Sequence, residues 1–147
     1  MKRVAVTGLG VISPVGNDVP TFWNALCSGT CGIGPITKFD ATDYPVKLAA
    51  EVRDFDPKQY MEKLDILHSG VYTHFAMAAA CQAVADSGIA GTLDAERVGV
   101  YIGSGIGGIA TFMTEHSKLL NRGPRRVSPY FIPMMIPNMA SSMIAIR

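Results

Sequence analysis

Apolar positions change their spacing several times along this chain, and each change predicts an element. Lys2 to Leu9 (KRVAVTGL) is a short β-branched run closed by Gly8 and Gly10, which predicts a buried strand leaving its sheet through a tight turn. Val19, Phe22, Trp23 and Leu26 then share one helical face. Asn17 or Asp18 can cap that helix, Pro20 fits its first turn and Gly29 ends it. Residues 29–45 are dense in Gly, Pro, Thr and Asp, so they predict a structured loop with Ile33, Ile36 and Phe39 tucked under neighbours. Val46 to Val52 predicts a second strand.

From Val71 to Ser87 the chain is apolar nearly all round and rich in small Ala, which predicts a helix buried between layers and stopped by Gly88 and Gly91. Arg97 to Ile102 predicts a third strand, running into the glycine-rich Gly103–Gly108. Ile109, Phe112, Met113, His116, Leu119 and Leu120 recur at three- and four-residue spacing, a helix closed by Gly123-Pro124. Residues 124–137 carry four prolines among apolar side chains and predict a loop that something must cover. Asn138 is placed to cap a last helix that runs to Arg147.

Strands alternating with helices imply an α/β fold with a largely buried sheet. A chain of 147 residues, 48% apolar, can fill one core but not two complete domains, and it holds no repeat, low-complexity tract or linker. The helix open at Arg147 and the uncovered proline-rich loop imply a missing remainder.

Thirteen basic and twelve acidic side chains leave a net charge of +1, which gives no general field for nucleic acid or an anionic membrane. The apolar amino terminus is broken by Gly and Pro before it could act as a signal peptide, and no apolar stretch approaches the roughly 18–20 residues of a membrane span. A cytoplasmic protein is the expectation. Cys27, Cys31 and Cys81, an odd number without an export signal, are expected to be free thiols. With His68, His74 and His116 scattered, no metal site is expected.

Gly103-x-Gly105-x-x-Gly108, between an expected strand and helix, has the form of a dinucleotide-binding turn, yet no acid ending a next strand follows about 20 residues on. Gly8-Leu9-Gly10 is interrupted by Pro14, and no P-loop occurs. Cys81 lies mid-helix, where a small buried hydrophobe is the better reading than a nucleophile, and Cys27 near a helix C-terminus is expected to be inert. His116, on an apolar helix face, reads as a satisfied core side chain.

Several segments together resemble the amino-terminal portion of the β-ketoacyl-acyl-carrier-protein synthases of the type II elongating class. They are RVAVTGLGVISPVGND, GTCGIGPITKFDATDYPVKLAAEVRDFDP, AAACQAVADSGI, VGVYIGSGIGGI, and GPRRVSPYFIP with its following NMASS. The resemblance spans almost the whole chain and implies a thiolase-like, layered αβαβα fold of which residues 1–147 supply most of the first half. It implies an acyltransferase of fatty acid elongation, a homodimer without cofactor. Its nucleophilic Cys, two catalytic His and a supporting Lys would lie beyond Arg147, so this stretch carries no catalytic residue and is inactive alone.

What the resemblance assigns here is wall and docking surface. Ile106 matches a gate of the acyl pocket, and Phe131 an aromatic that closes the pocket of the dimer partner. Arg125 and Arg126 match basic positions that meet an acyl-carrier protein delivering acyl and malonyl thioesters. One departure stands out: where relatives carry a basic run and Met-Asp ahead of the buried helix, this chain reads Glu62-Lys63-Leu64-Asp65-Ile66-Leu67-His68-Ser69-Gly70. Only Lys63, with His68, keeps basic character for docking. That departure keeps open a non-catalytic chain-length-factor subunit of polyketide type, and the glycine motif keeps open a dinucleotide-binding module.

Overall fold

The computed structural model describes residues 3–147, so Met1 and Lys2, the start of the first expected strand, lie outside the described residues. Helix α1 (Val19–Cys27) begins where Asp18 accepts the Thr21 amide at 2.8 Å, with Pro20 in the first turn, where no N–H is required. Asn17, the other candidate cap, instead donates its side-chain amide to the Arg53 carbonyl at 2.8 Å. Strands β1 (Ile33–Pro35) and β2 (Leu48–Ala50) pair antiparallel, Ile33 opposite Ala50 and Pro35 opposite Leu48. The second expected strand is thus present as its central residues, and its partner comes from the segment expected to be loop.

Glu51 follows β2 and pins the facing strand's exit: its carboxylate accepts the Thr37 hydroxyl at 2.6 Å and the Thr37 and Lys38 amides. The Thr37 hydroxyl, against some opposition from burial, holds this carboxyl below its ordinary value.

Four further helices and a short one complete the order: α2 (Lys63–His68), α3 (Val71–Ser87), α4 (Ile109–Arg122), α5 (Phe131–Met135) and α6 (Met139–Ile146). Tight 3₁₀ turns lie at Pro57–Gln59, Ala95–Arg97 and Pro124–Arg126. Helix α3 is the centre, with α6 and the Pro57–Gln59 turn packed on it. It buries Thr73, His74, Met77 and Ala78, joined by Ala140 of α6 and by Met61. The amino-terminal segment lies directly on α3: the Leu9 amide donates to Asp86 at 2.9 Å and the Val11 amide to Gln82 at 3.1 Å. A methyl at Gly10 would collide with the Ala79 carbonyl, so the small residues of both partners permit this approach.

Several expectations need correction, among them that Ile33 and Phe39 would be tucked under neighbours, since both are exposed. Residues 3–9 and 97–102 carry no strand ladder, because no other strand runs beside them among the described residues; Val4, Val6 and Tyr101 stand 94%, 79% and 95% exposed. The sheet of the described residues is a two-stranded antiparallel pair whose residues are mostly exposed, not the largely buried sheet expected. Helix α3 is buried chiefly in its first half, and Val71 and Val84 remain exposed. The proline-rich loop contains α5, since Pro133 falls in the first turn, where its missing N–H costs no helical hydrogen bond. Asn138 starts α6 without a side-chain cap.

Cys27 and Cys31 are exposed and Cys81 is half-buried, not the enclosed hydrophobe expected. No helix among the described residues is long and apolar enough to cross a membrane.

Candidate functional site

The glycine-rich turn owes its residues to packing. Gly107, at φ +75°, turns the chain in the left-handed region that favours glycine. A methyl at Gly107 would strike the Met135 carbonyl, and one at Gly108 the Met134 carbonyl, so the turn rests on the C-terminal end of α5. Gly103 and Gly105 have open space where a side chain would stand. The amides that a pyrophosphate would need are occupied: Gly107 donates to the Ser104 hydroxyl at 3.0 Å, and Gly108 to the Met135 carbonyl at 2.8 Å. With residues 97–102 outside any sheet as well, the dinucleotide reading has neither its strand nor its phosphate cradle.

What the turn does build is an apolar trough along α4. Ile106, 66% exposed, overhangs a recess of about 230 Å³ lined by Ile109, Phe112, Met135, Ile136 and Pro137. Phe131 enters a second recess of about 110 Å³ with Phe112, His116, Leu119 and Val127. Phe112 lines both, and its ring lies 6.1 Å from that of Phe131 at 35°. Two residues 25 positions apart in sequence therefore line neighbouring recesses that share one phenyl ring. Each recess is smaller than the roughly 300–1,000 Å³ of a complete small-molecule pocket, as one wall of such a pocket would be. A larger hollow of about 520 Å³ beside Met113, Ser117 and Arg122 is a shallow, open flank of α4 and gathers no chemistry.

The apolar face of α4 was expected inside, but it lies open. His116 is exposed and stacks on Phe112 at 5.8 Å, because α5 and the Pro124–Arg126 turn cover that face only in part. The side chain that α4 buries is Glu115, 5% exposed, which accepts the Ser128 amide at 2.7 Å and the Lys118 ammonium at 2.5 Å. Lys118 first, then the Ser128 amide, holds the Glu115 carboxyl below its ordinary value of 4.5. This contact moors the Pro124–Ser128 segment, and with it Phe131, to α4. A depressed carboxyl contributes stability that is fully present above its unfolded value and lost as pH falls through the folded one. Amide exchange at Ser128 is accordingly expected to quicken as pH drops below about 4.5, after correction for intrinsic rates. Glu115→Gln is expected to remove that acid dependence, and an unchanged profile in the variant would show that the mooring lies elsewhere.

The three basic candidates occupy two segments that touch. Arg125 and Arg126 are exposed in the Pro124–Arg126 turn, and Lys63 is exposed at the first residue of α2. Between them His68, at the end of α2, stacks on Tyr130 with ring centroids 3.6 Å apart and planes 14° from parallel. Helix α2 is itself tied to α3 by His74, whose Nε2 lies 3.2 Å from the Ile66 carbonyl and 3.1 Å from the Ser69 hydroxyl. The Ile66 carbonyl can only accept, so Nε2 carries the proton. The Ser69 hydroxyl donates to the Asp65 carbonyl at 2.5 Å, which makes this buried Ser–His pair a brace and not an activated nucleophile. Burial holds the imidazole's pKa below its ordinary value and so favours the neutral ring.

Sequence reasoning named Ile106, Phe131, Lys63, Arg125 and Arg126 but missed the residues that join them. Phe112 was visible as one of a helical stripe, although nothing in its spacing marked it as shared. A lone carboxylate among polar neighbours, such as Glu115, reads as a solvated surface residue.

The chain is 50% identical over 147 residues to 3-oxoacyl-[acyl-carrier-protein] synthase 2 of Coxiella burnetii and 45% identical to the protein of that name from Synechocystis. Each alignment takes in 99% of this chain, which spans 36% and 35% of the two relatives, about a third of their length. Among solved structures, the ishigamide ketosynthase/chain length factor superposes with a TM-score of 0.79 at 29% identity, over 95% of this chain and 35% of that one. That superposition gives the fold, the amino-terminal portion of a thiolase-like ketosynthase. A family model described as β-ketoacyl synthase, N-terminal domain, matches residues 1–147, and the chain belongs to that family.

Proposed function

We propose that the protein is a 3-oxoacyl-acyl-carrier-protein synthase of fatty acid elongation, with residues 1–147 the amino-terminal part of its ketosynthase domain. In this reading a Cys outside these residues takes an acyl group from an acyl-carrier protein. Malonyl on a second carrier loses carbon dioxide, its carbanion attacks the acyl thioester carbon, a carbon–carbon bond forms and the Cys leaves as thiolate. Ile106 and Phe131 wall the acyl chain, while Arg125, Arg126 and Lys63 receive the acidic carrier. The exposed apolar side chains at Val4, Val6, Tyr101 and α4 suit burial against the rest of the domain and a second copy in a homodimer. A cytoplasmic location fits such an enzyme.

The observation that carries this reading is the pair of recesses that share Phe112, lined mostly by apolar side chains, with Ile106 on one and Phe131 on the other. A saturated acyl chain asks for nothing else. The rival reading, a chain-length-factor subunit without the nucleophile, has support in the ketosynthase/chain length factor at 29% identity, but the relatives at 45–50% carry the synthase name.

The test is Ile106→Phe in the full-length protein, assayed for condensation over a series of acyl-carrier substrates. The larger ring is expected to fill the recess, so turnover of long acyl chains falls about tenfold or more while that of the shortest is kept. A uniform loss at every length would remove Ile106 from the pocket, and no condensation by the unaltered protein would favour the partner-subunit reading.

A further inference from the structure

Helix α5 is anchored through its backbone at the C-terminal end and through side chains of other helices at its start. The Gly108 amide donates to the Met135 carbonyl at 2.8 Å, and the Tyr72 hydroxyl donates to the Ile136 carbonyl. A methyl at Gly70 would strike the Met134 carbonyl. That end therefore rests on the turn bearing Ile106 and on the first turn of α3. At the start, Tyr130 stands in the cap position without a side-chain cap, and Phe131 is the first helical residue. Glu115 of α4 holds the Ser128 amide, while Ser128 accepts the Tyr130 amide on its hydroxyl at 3.2 Å and the Phe131 amide on its carbonyl at 3.1 Å. The second hold comes from α2: His68 lies on Tyr130, with ring centroids 3.6 Å apart and planes 14° from parallel.

His68 is itself well fixed. It ends α2, and the buried His74 of α3 bonds the Ile66 carbonyl and the Ser69 hydroxyl, which lie two residues before it and one after it. A face-to-face stack confines two rings to parallel planes, so the place of Tyr130 follows that of α2. The backbone of Phe131 follows Tyr130, and the Phe131 ring stands 6.1 Å from that of Phe112.

We infer that His68 is a positioning residue for the acyl pocket: its stack on Tyr130 sets where Phe131 stands against Phe112, and through that the length of acyl chain the protein prefers. The inference rests on the reading above that Phe131 walls the acyl chain. It requires no contact between His68 and the substrate or the carrier protein.

The experiment measures acylation of the full-length protein by N-acetylcysteamine thioesters from butanoyl to dodecanoyl, donors that carry no carrier protein and are therefore blind to docking. His68→Ala is expected to change the ratio of the dodecanoyl to the butanoyl rate about three- to tenfold, the range that an aromatic pair commands. His68→Phe, which keeps a flat ring over Tyr130, should restore the ratio. Tyr130→Leu removes the same stack from its other side and should give the profile of His68→Ala. The two changes together should do no more than either alone, and additive effects would overturn the stack as the link.

A His68→Ala protein with a lower thermal midpoint but an unchanged ratio, or with an equal loss at every length, would mean that His68 serves the fold alone. Phe131→Ala, run in parallel, separates the two levels of the argument. If it alters the length profile while His68→Ala and Tyr130→Leu do not, the positioning role is wrong and the pocket reading stands. If none of the three alters it, the reading of Phe131 as a pocket wall itself fails.

Discussion

Reversing both charges, Arg125→Glu with Arg126→Glu, is expected to lower kcat/KM for a carrier-borne acyl group about 100-fold, or roughly 2.8 kcal/mol. Turnover of a small N-acetylcysteamine thioester should stay within about twofold, because its transition state makes no contact at the arginines. Both side chains are exposed on a 3₁₀ turn closed by the Val127 amide to the Pro124 carbonyl, and neither has a carboxylate partner among the described residues. Their removal therefore leaves no buried group unpaired, and the loss should come from repulsion of an acidic partner. The comparison is one of KM and association rate with salt, since surface charges steer encounter and are screened. Equal losses on both substrates would mean that the turn shapes the site from within.

The second large effect is structural and separates the glycines of one motif. Gly108→Ala is expected to destabilise the protein by about 1–3 kcal/mol, the range for forcing an extra carbon into a packed site, because its methyl meets the Met134 carbonyl and the Met135 Cα. Helix α5 must then withdraw, taking Phe131 from its place beside Phe112. A shift of about 1 Å in a group that positions substrate can cost on the order of 100-fold in rate. Gly105→Ala, with open space at the same test, is the matched control and should change stability by less than about 0.5 kcal/mol. Thermal unfolding of both variants decides the matter, and equal midpoints would mean that the contact with α5 carries no stability.

That difference within one motif shows how far the sequence could be read. The pattern Gly103-x-Gly105-x-x-Gly108 suggested a ligand turn, but the reason for Gly108 is a carbonyl 26 residues away, and no local spacing reports such a contact. Helices α1, α3, α4 and α6 were legible because the signals that mark them, the cap of α1, the glycine stops of α1, α3 and α4 and the apolar runs, are local. The strands at 3–9 and 97–102 were read from β-branched runs, and a run of that kind specifies burial but not the neighbour that supplies the ladder. Helix α5 escaped because Pro133 argued against any helix, when a first-turn proline is compatible with one. His116 was placed inside because a helical stripe normally marks the core; here the stripe is itself the open wall of the trough. Helix α2 escaped because a run of six residues is too short to show a helical period.

The central claim is that these residues shape and supply a carbon–carbon bond-forming site whose reactive thiol lies elsewhere in the polypeptide. Mass spectrometry of the full-length protein after incubation with acyl-carrier and then malonyl-carrier thioesters tests it most directly. The expected result is a covalent acyl adduct on a cysteine other than Cys27, Cys31 or Cys81, followed by loss of carbon dioxide and release of a 3-oxoacyl carrier longer by two carbons. An adduct on one of those three cysteines, or a protein that never becomes acylated, would contradict it.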